Sequence, residues 1–356
     1  MVFNLKRASL QLSLFTFSLL LLAFASLHAS AETIYSRNAA SVIVVRTVPI
    51  INIQVDHAVQ IQDGGLVIIN DTIMLSTETG ENTESIQNFS IGFPFKYSFN
   101  LDYCFAYDAS NPDARFEVMS DVGLGKIGFY GINVMFPKTM SISYDKSYKF
   151  TVVFVFSNLV SSITDTLFNL EFPMYPSLAQ RASICNVTVV LPLNANHTDS
   201  SFREKALDFN ITTIDSRQVL NHTVSPLKDF AYEPAWLTFD ALTTFLTINA
   251  NEIKREITLD EWGRIHLSDF YHITNKAENQ ISKIKLQLPQ GAYGVYAQDV
   301  SGNIPVVSEE KNATTHTNAT ISLRTTLKRD EAGKFTVTYL LPWKNYVSQY
   351  DWRDYN

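Results

Sequence analysis

A chain of 356 residues is long enough for two ordinary domains with real cores, and 46% apolar against 18% charged residues marks a chain that folds rather than stays disordered. The formal net charge is −7 and no Lys/Arg cluster offers a footprint for phosphates, which excludes nucleic acid as an expected partner. Plentiful Phe and Tyr with modest Gly and Pro favour β-structure over collagen-like or low-complexity sequence.

In chain order the first element is a targeting segment, residues 1–31. Lys6 and Arg7 form a basic start, Leu10 to Leu27 is apolar apart from Gln11 and a few hydroxyls, and Ala29-Ser30-Ala31 supplies the small residues a signal peptidase reads. It reads as a signal peptide, or as an uncleaved signal anchor. Its apolar stretch falls just short of the roughly 20 residues of a spanning helix.

A first domain is expected over residues 45–240. Ile51, Ile53, Val55, Val59 and Ile61 share one face of a strand, and Asn52, Gln54, Asp56, Gln60 and Gln62 share the other. Asp63-Gly64-Gly65 then reads as a hairpin turn, and Leu66 to Leu75 returns. The apolar runs Phe150 to Phe156 and Val187 to Leu191 predict strands buried on both faces. Ser200 to Asp208 predicts a short helix with Ser200 or Ser201 near its cap.

The polar stretch from Asn210 to Pro234 leads to a boundary, and a second domain is expected over residues 243–356, starting with Phe245-Leu246-Thr247-Ile248. Lys254 to Ile265 alternates apolar and charged residues, breaks at Trp262-Gly263, and resumes as Ile265, Leu267, Tyr271 and Ile273: strand, turn, strand. Further strands follow around Ile284 to Leu288, Ile321 to Leu327 and Phe335 to Leu341. The class predicted is all-β, two packed sandwiches.

Eight triplets fit the N-x-S/T acceptor pattern, at Asn70, Asn88, Asn186, Asn196, Asn210, Asn221, Asn312 and Asn318. After a signal segment they point to a glycosylated exterior. Cys104 and Cys185 are read either as one disulfide of an oxidising compartment or as two separate buried thiols.

Reactive constellations are missing from the sequence. No CxxC or Cys/His spacing supports zinc, and no P-loop or G-x-S-x-G elbow occurs. His266 and His272 share a strand face but stand about 20 Å apart at strand rise, too far to chelate one ion. The pairs Asp260-Glu261 and Glu309-Glu310 point to opposite faces and read as solvated charge. No cofactor and no catalytic residue is expected. Trp262 is expected in the core, its ring covering the Gly263 kink; the other reading is an exposed platform for a sugar or a partner subunit. The aromatics of the tail, Tyr346, Tyr350, Trp352 and Tyr355, read as a frayed end or as a patch that docks on a partner or on membrane headgroups.

Three features of the second half occur in order: Arg255-Glu256-Ile257 leading to Trp262-Gly263-Arg264-Ile265; Ile284 to Pro289, then Tyr296 and the turn Asp299-Val300-Ser301-Gly302-Asn303; and Tyr339-Leu340-Leu341-Pro342 with Tyr346 beyond. In this the chain resembles the extracytoplasmic part of the ribophorin I family, a non-catalytic subunit of oligosaccharyltransferase. In the first half the match is one of pattern, with the aromatic Phe93-Pro94-Phe95 region among it. The family's second luminal domain continues further and leads to a membrane helix, so the resemblance makes the second domain here a shortened or incomplete one. The sandwich layout of the family is similar to the non-catalytic domain of zinc aminopeptidases, whose H-E-x-x-H signature has no counterpart here, since no His is followed by Glu.

The resemblance implies an extracytoplasmic, membrane-associated protein with no catalysis of its own. Its partners would be the membrane-bound catalytic subunit of oligosaccharyltransferase and acceptor polypeptides. Membrane contact would come through the N-terminal segment or through the partner. The compartment would be the endoplasmic-reticulum lumen or the outer face of a prokaryotic plasma membrane. The alternative is a secreted or cell-surface adhesion module.

Overall fold

The computed structural model describes residues 51–347 apart from 63, 79–82, 203–204, 207, 242–244 and 310–315. The targeting segment, the acceptor triplet at Asn312, Glu310 and the tail aromatics Tyr350, Trp352 and Tyr355 lie outside the described residues. The fold is all-β, with 69% strand and 4% helix. No described helix is long and apolar enough to cross a membrane.

The strands of the first part are β1 (Ile51–Ile61), β2 (Val67–Thr77), β3 (Glu84–Pro94), β4 (Leu101–Asp108), β5 (Asn111–Val122), β6 (Phe129–Ile142), β7 (Tyr148–Phe156) and β8 (Val160–Ser162). They continue as β9 (Leu167–Pro173), β10 (Ser177–Leu178), β11 (Ile184–Val190), β12 (Asn196–Phe202), β13 (Lys205–Ala206), β14 (Asn210–Ile214), β15 (Arg217–Val224) and β16 (Pro234–Asp240). The second part has β17 (Ile248–Leu259), β18 (Ile265–Asn275), β19 (Ile281–Pro289), β20 (Tyr293–Asp299), β21 (Gly302–Ile304), β22 (Val306–Glu309), β23 (His316–Leu327) and β24 (Ala332–Leu341).

An eleven-stranded sheet runs β10-β3-β6-β5-β4-β7-β2-β1-β11-β15-β14, and a five-stranded sheet β13-β12-β16-β9-β8 shares its core. The alternation of β1 sets its register with β2: Val55 faces Ile73 and Val59 faces Ile69, all buried. Bulges in the β3–β6 and β5–β6 pairs bend the sheet. Phe93 on β3 can then meet Phe154 on β7, ring centroids 5.3 Å apart and edge to face. Gly92 is required there, because a Cβ would sit 1.9 Å from the Tyr130 carbonyl oxygen.

The second part packs a sheet β17-β18-β24-β20-β21 against a three-stranded layer β19-β23-β22. Its core draws on residues from Ile265 to Leu341, whereas the first core runs from Ile53 to Phe245. Phe245 lies at the expected start of the second domain, but its ring packs on Phe168 and Phe239 of the first core.

Two local expectations are corrected. Within the helix expected at Ser200 to Asp208, the described residues 200–202 and 205–206 are strand: β12 pairs with β16, and Ser201 and Phe202 pair with Ala206 and Lys205. Strand pairing overrides a weak local helix preference. Val187 to Leu191 is buried on alternate residues only, since Thr188 and Val190 face the open side of the sheet. Phe150 to Phe156 does run deep in the core, with Phe150, Val152, Val153, Phe154 and Phe156 buried.

Candidate interaction surface

The Lys254 to Ile265 segment forms the β17–β18 hairpin, with Leu259 opposite Ile265. Its loop closes through Gly263 N–H to the Asp260 carbonyl at 3.0 Å and Asp260 N–H to the Arg264 carbonyl at 3.1 Å. Gly263 sits at φ +72°, the left-handed position that three-residue hairpin loops place before the returning strand. The Asp260 side chain fixes the rest. Its Oδ1 accepts from the backbone N–H of Trp262 at 3.0 Å and of Arg264 at 2.8 Å, and its Oδ2 accepts from Arg264 Nε at 2.6 Å. His266 Nε2 lies 3.0 Å from the same oxygen. Burial pushes this carboxyl up, but the bonds from Arg264 and His266 together hold it well below the usual carboxylate range.

Trp262 is not a core residue: it stands at the middle of the loop and is 72% exposed. The Arg264 guanidinium carbon lies 5.2 Å from its ring centroid, a cation–π contact in place of core packing. Beside it runs the edge strand. Among the described residues β17 pairs only with β18. Its core-side positions Ile253, Ile257 and Leu259 are each about 60% exposed, because the three-stranded layer leaves this margin of the five-stranded sheet uncovered. The opposite face carries Glu252, Lys254, Glu256 and Thr258. An exposed strand edge with one apolar face is a template for another chain.

Arg255 interrupts the apolar row. It holds Asp269, which is fully buried, and the Tyr339 hydroxyl donates to Asp269 Oδ2 at 2.8 Å. Burial first, then the Asp269 hydrogen bond and charge, push the Tyr339 phenol far up; burial and the same charge carry Tyr271 to about 12. Both phenols therefore stay protonated donors. Asp299, Gly302 and Asn303 build the β20–β21 turn: Asp299 accepts the Ser301 N–H at 2.8 Å and Arg324 Nε at 3.0 Å, and Arg324 Nη2 donates to the Asn303 carbonyl at 3.0 Å. Pro342 ends β24 and starts a single helical turn, Trp343–Tyr346, whose tyrosine hydroxyl donates to the Gln290 carbonyl at 2.8 Å. Gly263, Asp299, Tyr339 and Pro342 thus hold turns and core, whereas Trp262 projects from the hairpin tip.

Cys104 and Cys185 are free thiols. They lie on β4 and β11, with β7, β2 and β1 between them. Four strand spacings are about 19 Å, far beyond disulfide reach, so the structure keeps the two apart. Burial pushes both thiols up. The seven described acceptor asparagines, Asn70, Asn88, Asn186, Asn196, Asn210, Asn221 and Asn318, all sit within strands. On the open face of the large sheet some are cross-linked: Asn186 Nδ2 donates to Asp56 at 3.0 Å, Thr223 donates to Asn186 at 3.1 Å and Thr188 donates to Asn221 at 3.0 Å.

Sequence reading missed a buried polar pair. His57 Nδ1 lies 2.5 Å from Asp71 Oδ1, and its Nε2 lies 3.2 Å from the Pro173 carbonyl. A carbonyl only accepts, so Nε2 carries a proton and ties the two layers of the first core together. No water-sized cavity adjoins the pair. The signal was legible: His57 and Asp71 occupy inward positions of two strands and face each other in register. An opening of about 380 Å³ where β4 and β5 part is lined by Tyr103, Cys104, Phe105, Arg115, Phe116 and Val118, with neither carboxylate nor histidine. Among the described residues no three of His, Cys, Asp and Glu are grouped closely enough to hold a metal ion. His266 and His272 lie on one face of β18, six residues apart.

No family model matches the chain, and no curated protein does. Among solved structures it is similar to yeast LTA4 hydrolase in complex with bestatin at 6% identity and TM-score 0.30, over 58% of this chain and 29% of that one. It is similar to an M1 zinc metallopeptidase from Deinococcus radiodurans at 10% identity and TM-score 0.31, over 59% and 45%. A putative protease from Parabacteroides distasonis gives 7% identity and TM-score 0.29, over 53% and 40%. The chain spans less than half the length of each, and TM-scores of this size assign neither family nor activity.

Proposed function

We propose that this chain is a non-catalytic extracytoplasmic subunit of an oligosaccharyltransferase complex, which braces the complex or retains acceptor polypeptides near its catalytic subunit. Retention raises local substrate concentration without touching the chemical barrier. The ordered ribophorin I-like motifs around Trp262, Asp299 and Tyr339 motivate the reading. The observation that carries it is the exposed Trp262 at the tip of a hairpin whose edge strand leaves Ile253, Ile257 and Leu259 uncovered. A protein that acts by holding others needs such a surface and no reactive centre. Copurification in mild detergent tests it. The chain should come down with a membrane-bound glycosyltransferase subunit, and Trp262→Ala should weaken recovery. Recovery of the folded chain free of any such subunit would overturn the reading.

A further inference from the structure

A second exposed apolar cluster lies on the first core, away from the hairpin just described. Three chain segments build it. The 3-10 turn Phe95–Asn100 presents Phe95 and Phe99, with ring centroids 5.8 Å apart. The loop before β6 is pinned to that turn by Phe95 N–H donating to the Gly128 carbonyl at 2.9 Å. It carries Ile127, which is fully exposed, while Phe99 is 85% exposed. The third segment brings Phe230, packed 5.6 Å from Phe129, and the exposed Tyr232. Lys126 joins them, with Nζ 4.8 Å from the Phe230 centroid and 5.8 Å from that of Phe129.

We infer that this cluster dips into the interface of a lipid bilayer. A fully exposed Ile and a nearly bare Phe on neighbouring loops line no pocket. Unlike the Trp262 tip, which adjoins the edge strand β17, both stand on turns outside the strands and offer no backbone ladder of their own for another chain to extend. Isolated projecting apolar side chains suit a solvent that flows around them, and acyl chains at the headgroup boundary do so. Phe, Tyr and Lys are the residues that sit well at that depth, since rings stay amphipathic or apolar and the lysine stem lies along them while the ammonium reaches the headgroups. The inference is independent of oligosaccharyltransferase: it needs a membrane near the protein, not a given partner.

The test uses the full chain with Cys104→Ala, labelled with an environment-sensitive fluorophore at Ile127→Cys, or at Val300→Cys on the second core as a control. With phosphatidylcholine vesicles, the label at position 127 should shift to the blue and the label at 300 should stay aqueous. The control separates this cluster from any lipid contact made by the N-terminal segment. Phe99→Ser with Ile127→Ser should weaken vesicle binding of the otherwise wild-type chain by about tenfold or more, from two large apolar side chains withdrawn from lipid. Both positions are exposed, so the fold should survive. An aqueous label at 127 on saturated vesicles, or equal shifts at 127 and 300, overturns the proposal. So does a shift at 127 that requires another protein and not lipid.

Discussion

Arg255 meets Asp269 as a fork: Nε donates to Oδ1 at 2.7 Å and Nη2 to Oδ2 at 2.8 Å, across the first two strands of the second core. The carboxylate has no contact with solvent, whereas the guanidinium is about half exposed. The pair therefore holds the edge strand β17 at the position where the apolar row Ile253, Ile257, Leu259 is interrupted.

Removing one member of such a pair is costly because the other is left without its partner. Asp269→Ala should destabilise the second core by roughly 2–4 kcal/mol, since Tyr339 also loses its acceptor. Arg255→Ala should leave the buried carboxylate with phenol hydroxyls and no cation, and shift the same denaturation midpoint. Tyr339→Phe should cost about 1 kcal/mol. The three midpoints in urea, with the double variant Arg255→Ala/Asp269→Ala, measure the coupling directly.

The hairpin tip should be acid-sensitive. The folded Asp260 carboxyl lies below the ordinary value of 3.8, so its stabilisation is complete above that pH and is lost as pH falls through the depressed folded value. Exchange of the Trp262 and Arg264 amides should accelerate in that acid window. Asp260→Asn should show fast exchange of those amides at neutral pH as well. Unchanged protection in the variant would assign the turn to Gly263 alone.

His197 gives a second pH effect at a milder range. Among the described residues its buried Nε2 has no hydrogen-bond partner, and burial holds the ring below the ordinary 6.5. The unfolded chain then takes up a proton at 6.5 before the folded one does, so stability falls as pH drops below that value. His197→Gln should flatten the slope of midpoint against pH in this window.

The two thiols should remain reduced in the native protein. Non-reducing electrophoresis should show no intramolecular bridge. Cys185, buried with its thiol pushed up, should react with alkylating reagents only after denaturation, and Cys104 slowly before it.

The alternation of Ile53, Val55, Val59 and Ile61 was enough to read a strand, its inward face and its hairpin, because one buried face imposes a period of two. Trp262-Gly263 likewise reads as a turn from its residues. Whether a second layer covers the turn is a matter of how many strands the facing sheet has, and no local pattern contains that; hence Trp262 was expected inside and lies outside. The helix expected from Ser200 failed for a related reason, since β12 is set by its pairing with β16, more than thirty residues on in the chain. The acceptor triplets show a subtler confusion. In a strand, Asn-x-Thr places both polar residues on one face, so a sheet with a polar open side writes such triplets for its own hydrogen bonding, glycan or not, as Asn186 bonded to Asp56 and Thr223 illustrates. Of the interaction surface, the turn and the strand leading into it were legible, and the strand's place at the sheet edge was not; the Arg255–Asp269 pair was missed although its signal is there, since Asp269 fills the inward position between Leu267 and Tyr271 and Arg255 that between Ile253 and Ile257.

In the proposed role, the Trp262 hairpin and its uncovered edge strand face a glycosyltransferase complex. A photo-reactive residue at Ile257, activated in native membranes, measures this most directly. A covalent adduct that contains a membrane-bound oligosaccharyltransferase subunit or a nascent acceptor chain is expected, and is lost in the Trp262→Ala variant. An uncross-linked chain, or adducts with unrelated surface proteins alone, would contradict it.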